Sequence, residues 1–250
     1  TTKYRQKQLA VMKYLDLTFE NPASNLACDE ALLELFETGQ LEGSLLRTWE
    51  STHYFIVLGH SNRLNTEVNL SACTKDGIPI LRRISGGGAV LQGPGCLNYS
   101  LILDCGAHRI RTVGDGFHYV LERHRGVIEK LAGVQARANG TSDLTISGRK
   151  FSGNAQYRKA RFVLVHGTFL LDFDLPIIER YLRMPARQPA YRGQRSHLEF
   201  VANLNVASGP VRAGLRDAWT AEEVLTQVPH ARIEELVHRR YGQDAWSRKF

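Results

Sequence analysis

The segment Arg82-Arg83-Ile84-Ser85-Gly86-Gly87-Gly88-Ala89-Val90 offers the most chemistry per residue in this chain. Three consecutive glycines remove every side chain over one turn and permit positive φ. Backbone N–H groups can then converge on an anion, with two arginines beside them to supply charge. A plain turn between strands at Ile78–Arg83 and Ala89–Leu91 accounts for the glycines equally well. A P-loop is excluded, because it ends in Gly-Lys-Ser or Gly-Lys-Thr and this loop ends in Gly-Ala-Val. A dinucleotide fingerprint is excluded too, since it opens a helix, whereas Val90 and Gly93-Pro94-Gly95 point to a strand. The expectation is an anion-binding loop inside a hairpin.

A second cluster runs from Asn139 to Gln156. Asp143 opens a short apolar strand, and Lys150 follows between Gly148 and Gly153, which let backbone pack closely around it. A lysine so placed can stay charged and hold a carboxylate or phosphate, or it can be an ordinary surface lysine. Asp143 is a turn residue, or a carboxylate that helps hold Mg²⁺ against phosphates. His166-Gly167-Thr168 interrupts an apolar strand, Phe162–Leu171. Such a histidine is commonly a satisfied core group, while Gly167 permits close approach of a ligand or another backbone.

The elements that must position these groups alternate between strand and helix patterns. Val11 to Phe19 reads as a first strand and Asn25 to Thr38 as a helix capped by Ser24 or Asn25. Ser44–Trp49 and Tyr54–Leu58 read as a strand pair around Glu50-Ser51-Thr52, with a loop from Gly59 to Gly77. Ala89–Leu91 and Leu97–Leu103 frame the Gly-Pro-Gly turn. Phe117, Val120, Leu121, His124, Ile128 and Leu131 share one helical face. Leu144–Ser147 is a strand, Gly148–Ala160 a connection of undefined form, and Ile177–Arg183 a short helix before the Pro-rich Pro185–Pro189. Two further helices are expected at Val211–Gln227 and Ala231–Tyr241. This pattern predicts an α/β (α+β) fold with mixed, largely antiparallel sheets and flanking helices. A boundary near Ser208-Gly209-Pro210 divides residues 1–208 from a short helical extension, 209–250.

Composition narrows the class. The 250 residues are 43% hydrophobic and 23% charged, which suits a globular chain and no collagen, coiled coil or disordered tail. No stretch approaches the roughly 20 apolar residues of a bilayer span, and Thr1–Gln8 has no signal-peptide core. Cysteines at 28, 73, 96 and 105 form neither a C-x-x-C pair nor a zinc spacing, as expected of reduced thiols in a cytoplasmic protein. Arg149–Arg195 holds ten Lys or Arg against three Asp or Glu, an excess equal to the +7 of the whole chain. That stretch is a solvated face or the docking surface of an anionic partner.

Taken in order, these segments resemble the lipoate-protein ligase A family, within the fold shared with biotin protein ligases and octanoyltransferases. The resemblance is carried by Ser24-Asn25-Leu26-Ala27, Trp49, Gly59-His60-Ser61-Asn62, Glu67-Val68-Asn69-Leu70 and the arginine and triple-glycine loop. It continues through Ser142-Asp143-Leu144, Gly148-Arg149-Lys150, Ser152-Gly153, His166-Gly167-Thr168 and Glu199-Phe200-Val201-Ala202-Asn203-Leu204. It implies a two-step reaction: lipoate or octanoate and MgATP give an acyl adenylate, and the acyl group then passes to a lysine of a small carrier domain. It implies that Lys150 is catalytic, binding acyl carbonyl and phosphate oxygens. Arg83, Ser85, Gly86, Gly87, Gly88, Ala89 and Val90 would hold the acyl adenylate, with Gln92, Asn98, Gly153 and Thr168 around it. Asp143 would lie near phosphates and Mg²⁺, and His166 and Gly167 would line the acyl pocket. The basic stretch would meet an acidic lipoyl carrier, with no nucleic acid or membrane partner, and a monomer is the simplest state.

Two departures qualify the resemblance. Family ligases carry His-Asp after the glycine loop; here stands Gln92-Gly93-Pro94-Gly95, closer to octanoyltransferases that take acyl groups from acyl carrier protein without ATP. A second transferase class uses a cysteine nucleophile at a position that aligns with Arg137 here. Cys96 is the only thiol in a candidate active-site loop, and core packing suits it better than acyl transfer. Long-form ligases have a C-terminal accessory domain for which residues 209–250 are too short, so a partner protein is expected to replace it if adenylation needs one. A biotin ligase and a basic nucleic-acid module are weaker alternatives, the latter because Arg149–Arg195 has no RNA-stacking motif.

Overall fold

The computed structural model describes residues 11–250. The polar start, Thr1–Gln8, lies outside the described residues. Two sheets organise the chain. The larger takes the order β11-β1-β2-β6-β10-β9-β8-β7 and the smaller β4-β3-β5. In the large sheet β1 (Met12–Asp16), β2 (Ser44–Glu50) and the two-residue β11 (Glu223–Val224) meet as parallel neighbours through β1. β6 (Cys96–Asp104), β7 (Ala136–Asn139), β8 (Asp143–Ile146), β9 (Arg149–Arg158) and β10 (Phe162–Leu170) join antiparallel. β3 (Phe55–Leu58) lies between β4 (Ile80–Arg82), parallel to it, and β5 (Val90–Gln92), antiparallel. The mixed, mainly antiparallel α/β class is as the sequence pattern indicates.

β6 is buried along its whole length because helices cover both faces of the sheet. Alternation along the strand sends Leu97, Tyr99, Leu101 and Leu103 to one core and Ile102 to the other. The first core lies under α4 (Val113–Ala132) and α7 (Ser208–Ala218). The second lies under α1 (Pro22–Glu37) and α8 (His230–Leu236), which runs into a π-helical turn at Val237–Tyr241. A third core joins the small sheet to α2 (Leu64–Glu67), α3 (Leu70–Asp76), α5 (Pro176–Tyr181) and α6 (His197–Phe200). A short 3₁₀ turn, Ala190–Arg192, lies between α5 and α6, and α9 (Asp244–Ser247) lies near the end. Among the described residues no helix is long and apolar enough to cross a membrane.

Several local expectations are corrected. β2 and β3 do not pair; the bend at Ser51–Tyr54 passes the chain from one sheet to the other. Gly93-Pro94-Gly95 likewise carries β5 in the small sheet to β6 in the large one. The undefined connection Gly148–Ala160 is the ten-residue strand β9, whose polar face borders a cavity. The loop Gly59–Gly77 contains α2 and α3, too short to show a helical period. α1 begins earlier than its apolar stripe, because Asn21 caps it through the Ala23 amide and Pro22 takes the first turn. Asn25 instead binds both the N–H and the carbonyl of Phe19. The helix expected to reach Gln227 stops at Ala218, and the chain then returns as β11 beside β1. Residues after 208 are therefore woven into the large sheet and two of its cores.

One buried ion pair ties α1 to the sheet. Arg47 on β2 is fully buried, 2.7 Å from Asp29 and 2.9 Å from the Asn25 amide oxygen, while Ser100 donates to the other Asp29 oxygen at 2.6 Å. Removing one member strands the other charge in the core, which typically costs about 3–5 kcal/mol. Arg47→Ala is expected to lose about that much stability in urea unfolding. A loss below about 1 kcal/mol contradicts the role given to the pair.

Candidate functional site

Since β4 and β5 both flank β3, the glycine loop crosses the end of β3 and does not close a hairpin. It crosses at Gly59, where a Cβ would lie 2.1 Å from the Gly87 carbonyl oxygen. The two arginines act differently from expectation. Arg82 turns away, fully buried, and donates to the carbonyls of Gly59, Asn62 and Ser247 at 2.8–2.9 Å. Arg83 folds back under its own loop and donates to the carbonyls of Gly86 (2.6 Å) and Gly88 (3.0 Å) and to Ser85 Oγ (3.0 Å). Burial pulls its guanidinium down to about 10. Its charge is spent on shaping the loop, and Gly87, at φ +93°, sits where a side chain would strike it.

Ser85 Oγ lies 2.6 Å from His166 Nε2 on β10. Arg83 Nε already donates to that oxygen, which leaves the Ser85 proton for the imidazole. Burial, reinforced by Arg83 and opposed by Asp29, holds His166 down to about 4, so the ring is a neutral acceptor at pH 7. Nearby, the Asn98 amide donates to the Gln92 side chain at 2.9 Å and to the Cys96 carbonyl at 3.2 Å, linking β6 to β5 where the two sheets meet.

Lys150 and Asp143 face each other across the β8–β9 pair, which is irregular between Leu144 and Thr145. Lys150 Nζ is 2.8 Å from Asp143 Oδ1, and Tyr191 donates to Asp143 Oδ2 at 2.7 Å. The lysine side chain lies over Gly153, where a Cβ would come within 2.6 Å of Nζ. The Lys150 backbone is pinned by the amide of Ala202, which donates to its carbonyl at 2.9 Å. Gly167 has no side chain for a related reason: a Cβ there would lie 1.8 Å from Asn154 Oδ1 and 2.8 Å from the Gly153 carbonyl oxygen, so a side chain and the backbone of the neighbouring strand both approach it closely.

These groups enclose a cavity of about 460 Å³. Arg83, Gly87, Gly88, Ala89, Val90, Gln92, Asn98, Asp143, Lys150, Gly153, His166, Gly167 and Thr168 all line it. Ser85 and Gly86 do not; Ser85 contacts the lining His166, and Gly86 holds Arg83. One wall is apolar, with Leu26, Trp49 and Val57 continuous with the core under α1. The Trp49 indole N–H is buried there without a hydrogen-bond partner among the described residues. Arg183, Arg187 and Arg192 bring part of the basic stretch to the cavity, while Arg161 and Arg180 pair elsewhere, with Asp104 and Asp76.

No cysteine lines this cavity. Cys96 is in the core of the small sheet, its thiol pushed up to about 12 by burial. Arg137 is an exposed residue of β7. Among the described residues no three His, Cys, Asp or Glu side chains cluster to hold a metal. Asp143 nevertheless suits Mg²⁺ bound mainly through phosphates, which needs one or two protein carboxylates.

A sequence model of the lipoyl protein ligase A/B catalytic domain matches residues 21–230. The chain belongs to this family. A probable lipoate-protein ligase A of Mycoplasma pneumoniae is 35% identical over 73% of this chain, which spans about half (52%) of that relative. The octanoyltransferase LipM of Brevibacillus brevis is 26% identical over 94% of this chain and 98% of its own length. Among solved structures, a bi-partite lipoate protein ligase from Thermoplasma acidophilum, described with its E2 lipoyl domain, superposes with TM-score 0.81 at 25% identity, covering 96% of each chain. The family thus includes both ligases and transferases, and the site has to distinguish them. Sequence reasoning gave no role to Tyr191, Asn154, Asp29 or Trp49 in this site. Asn154 stands inside the Asn139–Gln156 cluster, whereas Tyr191 becomes visible only when the chain after Pro189 folds over β8.

His166 and the buried His124, which burial holds down to about 3, bind protons more weakly folded than at their ordinary value of 6.5. Below that value the unfolded chain takes up protons that the folded one refuses. Their contribution is therefore lost as pH falls from 6.5 towards 4 and below. The urea midpoint should drop over this interval more steeply in the native protein than in His166→Gln. Equal slopes would show that His166 is not held neutral by the fold.

Proposed function

We propose that this chain is an ATP-dependent lipoate-protein ligase, which activates lipoate or octanoate as the acyl adenylate and passes the acyl group to a lysine of an acidic lipoyl carrier domain. The observation that carries this reading over transfer through an acyl-cysteine is that no cysteine lines the cavity. Without a thiol the covalent acyl-enzyme route lacks its nucleophile, and a free carboxylate can instead be activated by a phosphate leaving group. The lipoate ligases among relatives and neighbours, one of them described with its lipoyl domain, support the same substrate class.

The reaction asks the site to bring two anions together. A carboxylate oxygen attacks the α-phosphorus of ATP and pyrophosphate leaves. A neutral lysine amine of the carrier then attacks the acyl carbon and AMP leaves. Lys150 supplies positive charge at the junction, held ready by Asp143 and by the space over Gly153. The glycine loop offers backbone donors that need no reorganisation. The neutral His166 and the apolar wall keep the acyl chain out of water. Asp143 would hold Mg²⁺ arriving with ATP, which would neutralise phosphate charge.

The test is lipoate-dependent ATP–pyrophosphate exchange, with octanoate and biotin alongside. Exchange with lipoate or octanoate and not biotin is expected, and Lys150→Ala should reduce it at least about 100-fold while leaving the fold intact. Wild-type exchange in Lys150→Ala removes that residue from the mechanism. Acyl transfer from acyl carrier protein without ATP, in place of exchange, establishes the transferase instead.

A further inference from the structure

The Gly167–Asn154 contact is tighter than packing alone would require: a Cβ at 167 would lie 1.8 Å from Asn154 Oδ1. The amide is held at both ends. Its Nδ2 lies 2.7 Å from the Ser142 carbonyl oxygen, and its Oδ1 accepts from the Tyr99 hydroxyl at 2.6 Å. A carbonyl only accepts and an amide nitrogen only donates, so one orientation satisfies both bonds. Tyr99 is itself fixed from behind. The His124 ring stands edge-on at 4.4 Å, and His124 Nε2 accepts from the Trp219 indole at 3.0 Å. A chain of contacts therefore runs from α7 through α4 and β6 to β9, and ends on the turn between β7 and β8. The carbonyl it grips belongs to the peptide that joins Ser142 to Asp143, the partner of Lys150.

We propose that Asn154 is a positioning residue: supported by Tyr99, it fixes the Ser142–Asp143 peptide and thereby the Asp143–Lys150 pair. This rests on the reading of Lys150 given above. β7 is the edge strand, and the turn 140–142 has β8 and β7 alone in its own sheet. Asn154 secures it from the cavity side. Without that bond Asp143 keeps its ladder but loses the anchor of its leading peptide, and the ammonium it directs samples more positions. Near-attack geometry is sensitive to displacements of this size.

The experiment compares Asn154→Ala and the milder Tyr99→Phe with the native protein by amide hydrogen exchange, thermal unfolding and single-turnover adenylation. In Asn154→Ala, exchange over residues 140–143 should quicken by about tenfold, with the strands β6 and β10 unchanged. The adenylation rate should fall by about tenfold at an unchanged KM for lipoate. Tyr99→Phe should show the same pattern more weakly, and the double variant should be no worse than Asn154→Ala, since both act on one bond. Unchanged exchange at 140–143, or additive effects of the two substitutions, overturns the proposal. A loss of thermal stability with native single-turnover rates also overturns it, leaving Asn154 a packing residue. If the native protein forms no adenylate, the functional reading fails, while hydrogen exchange still decides whether Asn154 fixes the turn.

Discussion

A buried guanidinium with no carboxylate beside it has to be satisfied by oxygen dipoles, and Arg83 meets this demand from its own loop. The carbonyls of Gly86 and Gly88 turn inward to it. In a trans peptide the following N–H points the opposite way. The amides of Gly87 and Ala89 are thus directed away from the guanidinium, on residues that line the cavity. Positive charge placed under the loop, instead of in front of it, leaves the face open for a ligand and polarises the donors from behind. Gly87 makes the inward turn of the two carbonyls sterically possible, since it lies in the left-handed region and a Cβ there would strike Arg83, while Gly59 gives clearance beneath.

The cavity lies where two sheets meet. The small sheet contributes the glycine loop; the large sheet contributes Lys150, Asp143 and His166 from adjacent antiparallel strands. Neither sheet could form the site alone, and the joints between them are side-chain hydrogen bonds: Ser85 with His166, and Asn98 with Gln92. The apolar wall comes from the same core that Arg47 and Asp29 anchor. Stability of α1 and shape of the cavity are therefore coupled. Tyr191 adds a third contributor, because its hydroxyl reaches Asp143 from the segment between α5 and α6, next to the cavity arginines.

Much of this was readable in the chain itself. Consecutive glycines, a lysine between glycines and a histidine beside glycine are local patterns whose steric meaning does not depend on the rest of the fold. The largely apolar runs of β6 and β10, buried on both faces, and the single apolar face of α4 gave the class of architecture, since burial on one or both faces marks the sequence. What the chain did not show were pairings. β3 could not be told from a partner of β2, because a bend and a sheet change leave the same turn residues behind. β9 hid its strand character because its polar residues face a cavity, which breaks the hydrophobic alternation.

Charge showed the limit most clearly. Arg82 and Arg83 are adjacent and chemically identical; the sequence offered both as charge beside the loop, and the resemblance named Arg83 as a binding residue. The folded backbone sent one to the carbonyls of Gly59 and Ser247 and the other beneath the loop. Residue type fixed that each would need acceptors or anions; only the tertiary structure decided which acceptors lay within reach. The same holds for Asn154, whose two-sided amide is informative only once β6, β9 and the turn before Asp143 have been brought within hydrogen-bond distance. Local sterics and periodicity belong to the sequence, because they act between near neighbours. Long-range hydrogen bonds belong to the fold, because their partners are separated by tens of residues and meet only after the sheets have formed.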